Sequence, residues 1–219
     1  GIKGKFRIVP LNFGEYNNEK IFDYEEVCIQ NNDMSYEDYI YLRGYALLVE
    51  VILNGRPFNE FFRYAEYLGE SSTRFLKRLY DNIHTAPLQV KSILKDFENE
   101  TRGELWDNEK DLIKYYSINK NYKKLLSGEV GGNLIYKYKS RSVAFTTKEW
   151  IDYISIQIKQ LIKEKVKTKN KINNALVETK SIEQFCRNKM NGLLDNNANT
   201  DDIIENFDYD IPTWLNAKH

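Results

Sequence analysis

The sequence predicts a mainly α protein, an irregular multi-helix bundle led by a short extended or two-stranded N-terminal segment. Three observations predict it. A well-capped helix start at Ser35 runs into the almost uninterrupted apolar stretch from Ile40 to Leu53. Apolar stripes at helical spacing then follow one another across short connections. Before them, two stretches of alternating character, Phe6 to Pro10 and Glu26 to Gln30, flank the turn-forming Gly14 and Asn17-Asn18. The expected organisation is a lead-in segment over 1–34, a main helical domain over 35–170 and a C-terminal helix with a docking tail over 171–219.

Taken in order, the first helix begins with Ser35 as N-cap, Asp38 at the third helical position, and Met34 placed to staple onto Tyr39. Glu37 and Asp38 suit the positive end of the helix dipole. Asn54-Gly55 stops this helix. Pro57 is expected in the first turn of the next, which runs to Leu68 and is closed by Gly69. Ser71 or Ser72 caps a third helix carrying Phe75, Leu76, Leu79 and Ile83, and Ala86-Pro87 opens a fourth with Val90, Ile93, Leu94 and Phe97. One amphipathic run is expected from Asp107 to Leu126, ended by Gly128-Glu-Val-Gly-Gly132. The stretch 133–145 reads two ways, because Tyr and Lys alternate as in a strand while Leu134, Tyr138 and Phe145 make a helical stripe; helix is preferred. Thr146 with Glu149 repeats the capping box and opens a long helix through Leu161 and Ile162. Lysines crowd 163–171, a further helix is expected from Ile172 to Leu194, and Asn196 to Asp202 is a polar break. The tail Phe207 to Leu215 is expected to be extended around Pro212.

With 219 residues the chain is long enough to bury a substantial core without disulfides or metals. Its 32 basic and 32 acidic residues cancel, so no global field draws it to nucleic acid. Cys28 and Cys186 lie far apart in unrelated settings, which argues against a disulfide scaffold or a zinc clip and for a reducing, cytoplasmic location. The apolar run from Tyr45 to Leu53 is far short of the ~20 residues that span a bilayer. Gly1-Ile-Lys-Gly-Lys has neither initiator Met nor signal pattern, and the chain is expected to be cut from something longer.

Candidate chemistry is sparse. His84 and His219 are the only histidines, and His84 beside Asp81 fits a helix C-terminal cap better than a general base. Cys28 and Cys186 are read as small buried hydrophobes. Glu25 and Glu26 are neighbours on a strand and so point to opposite faces, which rules them out as an acid and base facing one substrate. Arg43, inside the apolar helix and two turns before Glu50, needs a carboxylate partner there, Glu50 or one of the strand glutamates. A structural ion pair outweighs capture of a substrate carboxylate or phosphate. Gly128 to Gly132 lacks the lysine of a P-loop and terminates a helix instead of opening one. Tyr136, Lys137, Tyr138, Lys139 and Arg141 have the composition of a single-strand nucleic-acid binder, but the neutral net charge weighs against it.

The blocks Tyr24-Glu-Glu-Val-Cys-Ile-Gln, Asn32-Asp-Met-Ser-Tyr-Glu-Asp-Tyr, Leu42-Arg-Gly and Asn54-Gly-Arg-Pro-Phe-Asn-Glu-Phe-Phe-Arg-Tyr resemble the segment after the catalytic barrel in radical S-adenosylmethionine proteins that carry a cobalamin-binding domain. The match is best from Phe6 to about Tyr80, with Ser127 to Asn133 and Tyr209 to Trp214 also similar. The resemblance implies a non-catalytic C-terminal accessory domain that covers the barrel and helps shape the substrate pocket. It further implies a parent enzyme using a [4Fe-4S] cluster, S-adenosylmethionine and cobalamin, with the cobalamin-binding and barrel domains of the same polypeptide as partners. Neither the Cys-x-x-x-Cys-x-x-Cys motif nor a cobalamin-binding histidine motif occurs in this chain, so no catalytic residue carries over. Arg43, Glu25 and Glu26 are the candidates for touching substrate or barrel, and Tyr209 and Trp214 for docking. The rival readings are a stand-alone helical interaction module and a single-stranded nucleic-acid binder.

Overall fold

The computed structural model describes residues 1–190 and 204–216. Among them the chain is mainly α with a two-stranded antiparallel N-terminal sheet, as the sequence predicts. In order the elements are β1 (Lys3–Tyr16), β2 (Glu19–Gln30), α1 (Tyr36–Ile52), α2 (Asn59–Tyr67), α3 (Ser72–Asp81), α4 (Leu88–Gly103), α5 (Glu109–Ser117), α6 (Asn119–Leu126), α7 (Leu134–Phe145), α8 (Thr147–Lys165), α9 (Lys169–Met190) and α10 (Ile211–Asn216). The chain forms two compact units, one from Gly1–Leu47 with Leu94–Lys139, the other from Leu48–Ile93 with Ser140–His219.

The first unit is built on the hairpin. Asn17 and Asn18 form its two-residue turn, with φ of 49° and 62°. Asparagine tolerates this left-handed region, and a turn with both central residues there matches the twist of paired strands. The strands are longer than expected, and Gly14 lies inside β1, paired with Ile21. Pairing is regular from Tyr16↔Glu19 to Phe13↔Phe22, then jumps to Ile8↔Tyr24, so residues 9–12 bulge against Asp23. The bulge is held from outside, because Leu11 N donates to Gly131 O at 3.0 Å. Gly131 holds φ 74°, the left-handed region that favours glycine, and an added Cβ would also press on Leu125 Cδ2 at 2.4 Å. The hairpin's inner face buries Ile8 and Phe22 against Leu112, Tyr116, Tyr122 and Leu125 of α5 and α6. Trp106 packs on this cluster and exchanges both backbone hydrogen bonds with Phe6 at 2.8 Å.

The second unit centres on α8, whose Trp150, Ile151, Tyr153, Ile154, Ile158, Leu161 and Ile162 are all buried. Tyr153 donates its hydroxyl to Leu79 O at 2.6 Å, tying α8 to the end of α3. From α2, Phe61, Phe62, Tyr64 and Ala65 are buried, and Tyr64 donates to Glu178 Oε2 at 2.7 Å in α9.

Local signals held in several places. Ser35 and Asp38 form the capping box in full: Asp38 N donates to Ser35 Oγ at 3.1 Å and Ser35 N to Asp38 Oδ2 at 2.8 Å. Ser71 accepts from Arg74 N. The ambiguous stretch is helix α7, with Tyr136 N donating to Asn133 Oδ1. Four expectations are corrected. The run 107–126 is two helices, because Ile118 is extended at φ −70° and ψ 127°. Thr146 makes no side-chain cap and donates its hydroxyl back to Ser142 O at 2.9 Å. Pro57 lies in the turn before α2, which starts at Asn59. The tail is helical over Ile211–Asn216, with Pro212 in the first turn, where its missing N–H costs nothing. The polar break from Asn196 to Asp202 lies outside the described residues.

Candidate functional site

Strand alternation and one helix turn bring four charged side chains together in the first unit. Arg7 stands opposite Glu25 in the hairpin ladder and donates its Nε–H to Glu25 Oε1 at 2.7 Å. Its other arm donates to Glu104 Oε1 at 2.8 Å, just beyond the end of α4. Arg43, from α1, approaches the same Glu104 oxygen at 3.9 Å and lies over the Phe97 ring, 5.5 Å from its centroid. The partner that Arg43 needs is therefore Glu104, a residue the sequence did not single out. Arg43 Nε is buried with no hydrogen-bond partner among the described residues.

Burial raises the Glu104 carboxyl above its ordinary value, and the two guanidinium groups pull only partly against that. Burial likewise lowers Arg7's preference for charge, but Glu104 and Glu25 outweigh it and leave its pKa raised. Tyr39, near the same groups, is pushed up chiefly by burial. The cluster holds two positive and two negative groups, so it neutralises itself.

Glu26 does not join it. It pairs across from Phe6 and lies against Gly4, where a Cβ would fall 2.1 Å from Glu26 Oε1. Gly4 is thus the space that Glu26 occupies, and the expectation that neighbouring strand glutamates diverge agrees with this placement. A second network flanks the first: Glu100 accepts from Lys137 Nζ at 2.6 Å and from the Tyr138 hydroxyl at 2.8 Å. Two of the residues that gave 136–141 its nucleic-acid-like composition are engaged here, and Tyr138 is buried.

The remaining candidates belong to the second unit or lie apart. Tyr209 and Trp214 stack at 4.9 Å, and Trp214 also meets Tyr64 at 6.0 Å. These rings are used within their own unit, alongside the buried Ile211 and Leu215. His84 sits in the 3-10 turn Ile83–Thr85 that follows α3. Cys186 is buried, as expected, and burial pushes its thiol well up. Cys28 is exposed, contrary to expectation, because even-numbered positions near that end of β2 face outward.

An iron–sulfur cluster needs several convergent thiolates, and these residues do not fit one: the sequence has two cysteines, and the Cys186 thiol is buried 3.6 Å from the Glu60 carboxylate. Among the described residues no group of three or more His, Cys, Asp or Glu side chains is placed to hold a metal ion, and no helix is long and apolar enough to cross a membrane. Compared with known proteins, the chain matches no family model, no curated protein and no solved structure.

Arg7 and Glu104 belong to this candidate site although the sequence does not single them out. Lys3, Lys5 and Arg7 alternate with the period of a strand, which was the available sign that Arg7 faces the paired acids of β2. Glu104 carried no such sign, since it follows a helix end in an otherwise polar stretch.

Proposed function

We propose that this chain is a non-catalytic C-terminal accessory domain of a larger radical S-adenosylmethionine enzyme, presenting a stiff, charge-balanced surface to the barrel and substrate. The observation that supports the reading best is the Arg7, Glu25, Glu104 and Arg43 cluster, which joins both strands to α1 and α4. It gathers residues from two of the blocks that resemble that family. Glu25 remains 42% exposed at its rim, so it is the group from which a contact to another domain would be made. The [4Fe-4S] cluster, S-adenosylmethionine and cobalamin would be held by other domains of the parent.

The reading frame upstream of Gly1 tests this directly. The expected result is a Cys-x-x-x-Cys-x-x-Cys triplet encoded upstream in the same frame, and a start codon next to Ile2 overturns the proposal. A second reading, a helical interaction module, is favoured by the apolar side chains that the hairpin leaves exposed.

A further inference from the structure

The distal half of the hairpin carries a face that the packing leaves unclaimed. Beyond the bulge, the even-numbered residues of β2 face α5 and α6: Phe22 is buried, and Lys20 Nζ donates to Ser117 O at 2.7 Å and lies over the Tyr122 ring. Ile21 and Asp23 stand on the other face by alternation, joined by Gly14 and Tyr16 of β1. Gly14 has no side chain, and an added Cβ would meet nothing within 4 Å. The result is a depression of about 320 Å³ whose walls include Leu11, Tyr16, Ile21 and Asp23. Leu11, Tyr16 and Ile21 are 71%, 69% and 53% exposed. Clustered exposure of large apolar side chains is uncommon on a surface with no partner.

Charge says what covers it. Asp23 lines the depression and Glu19 lies beside it across from Tyr16, while Glu15 is paired with Lys20 and so shares the other face; no lysine or arginine lines it. The nearest basic side chain in sequence, Lys20, is turned to the opposite face, while Lys5 and Arg7 are paired to Asp107, Glu25 and Glu104. The outer edge of β2 is also open: among the described residues no backbone hydrogen bond reaches it from outside the hairpin, whereas the β1 edge is held at Phe6 and Leu11.

We propose that this face docks a segment of a partner protein carrying lysine or arginine next to a bulky apolar side chain. The apolar group seats over Gly14 between Leu11, Tyr16 and Ile21; a cation on one side of it meets Asp23, and one on the other side meets Glu19 with the Tyr16 ring available to it, since the two acids stand about 13 Å apart along β2. A second copy of this chain is a poor occupant, because two such faces would bring carboxylates together, and an anionic lipid surface is disfavoured for the same reason. The inference does not depend on the identity of the parent enzyme.

Fluorescence anisotropy with three labelled ten-residue peptides tests it: alternating lysine and leucine, alternating glutamate and leucine, and alternating lysine and serine. The lysine-leucine peptide is expected to bind saturably, at least tenfold tighter than either of the others. Gly14 lies outside the positive-φ region, so Gly14→Leu fills the depression without backbone strain. That variant is expected to keep its melting temperature and lose at least tenfold in affinity, while Asp23→Asn loses about threefold and flattens the salt dependence. Equal binding of all three peptides, no saturable binding, or full affinity in a folded Gly14→Leu protein overturns the proposal. So does concentration-dependent dimerisation abolished by Gly14→Leu, which would assign the face to a second copy. Should a variant fail to fold, the three peptides on the unaltered protein decide alone.

Discussion

Glu104 is the residue on which the first unit's charges converge, and its neighbours differ in how much they depend on it. Arg7 and Arg43 are 19% and 20% exposed, and Glu104 is 17% exposed. Removing the carboxylate leaves two nearly buried cations facing each other, so Glu104→Ala is expected to destabilise by about 2–4 kcal/mol. Glu25 is more than a third exposed and shares Arg7, so solvent screens it and Glu25→Ala is expected to cost under about 1 kcal/mol. Arg43→Met is expected to be near neutral, because that guanidinium makes only a 3.9 Å contact and the methionine keeps the packing on Phe97. Urea denaturation of the three variants checks the order, and a larger loss for Glu25→Ala than for Glu104→Ala would contradict it. Arg43 and Glu25 were legible as candidates because a charge in an apolar helix and an acid pair in a strand both stand out. Glu104 was not, because whether an acid near a helix end is buried depends on what packs there from elsewhere in the chain.

The elements most legible in the sequence are those whose local chemistry is self-sufficient. The Ser35 capping box satisfies its donors within four residues, so nothing distant can override it. Thr146 shows the contrary case: the same pattern is present, but its hydroxyl finds Ser142 O in the preceding helix first. The split at Ile118 was hidden because an apolar residue fits the periodicity on both sides of the break. The hairpin turn is again local, and it gives a sharp expectation. Asn17 and Asn18 both hold positive φ, where a β-branched residue clashes with its own backbone. Asn18→Val is therefore expected to cost about 1–2 kcal/mol, whereas Asn18→Gly, the preferred residue at that site of a two-residue hairpin turn, should stay within about 0.5 kcal/mol of the parent. Thermal melts of the two variants separate these outcomes, and equal tolerance of valine and glycine would mean that the turn is not held as described.

Over the whole molecule, fold class was readable because hydrophobic periodicity summed over many helices is a strong signal, but the division into units was not marked. The passages between them fall near residues 47, 93 and 139, inside α1, α4 and α7, where neither composition nor turn chemistry changes. Glu37 and Asp38 are held below the usual carboxylate range by hydrogen bonds from Arg102 and Ser35, and Glu164 by Arg78. Glu183 is also lowered, because Ser155 and Arg187 outweigh its burial. Each of these four contributes stability that is present above the unfolded carboxylate pKa and is lost as pH falls through the lower folded value. Glu104 has the opposite sign: its raised pKa favours the folded state below the unfolded value, and that contribution disappears as pH rises through the folded one. Among the described residues the lowered carboxyls outnumber the raised one, and acidification is expected to bring a net loss. Protonating the 32 acids also leaves 32 lysines and arginines and two histidines charged, which adds self-repulsion. The melting temperature is therefore expected to be flat from about pH 8 to pH 5.5 and to fall steeply below about pH 4, with added salt recovering part of the loss. A melting temperature that rises between pH 5 and pH 3 would show that buried carboxyls like Glu104, not the hydrogen-bonded ones, control how the chain responds to acid.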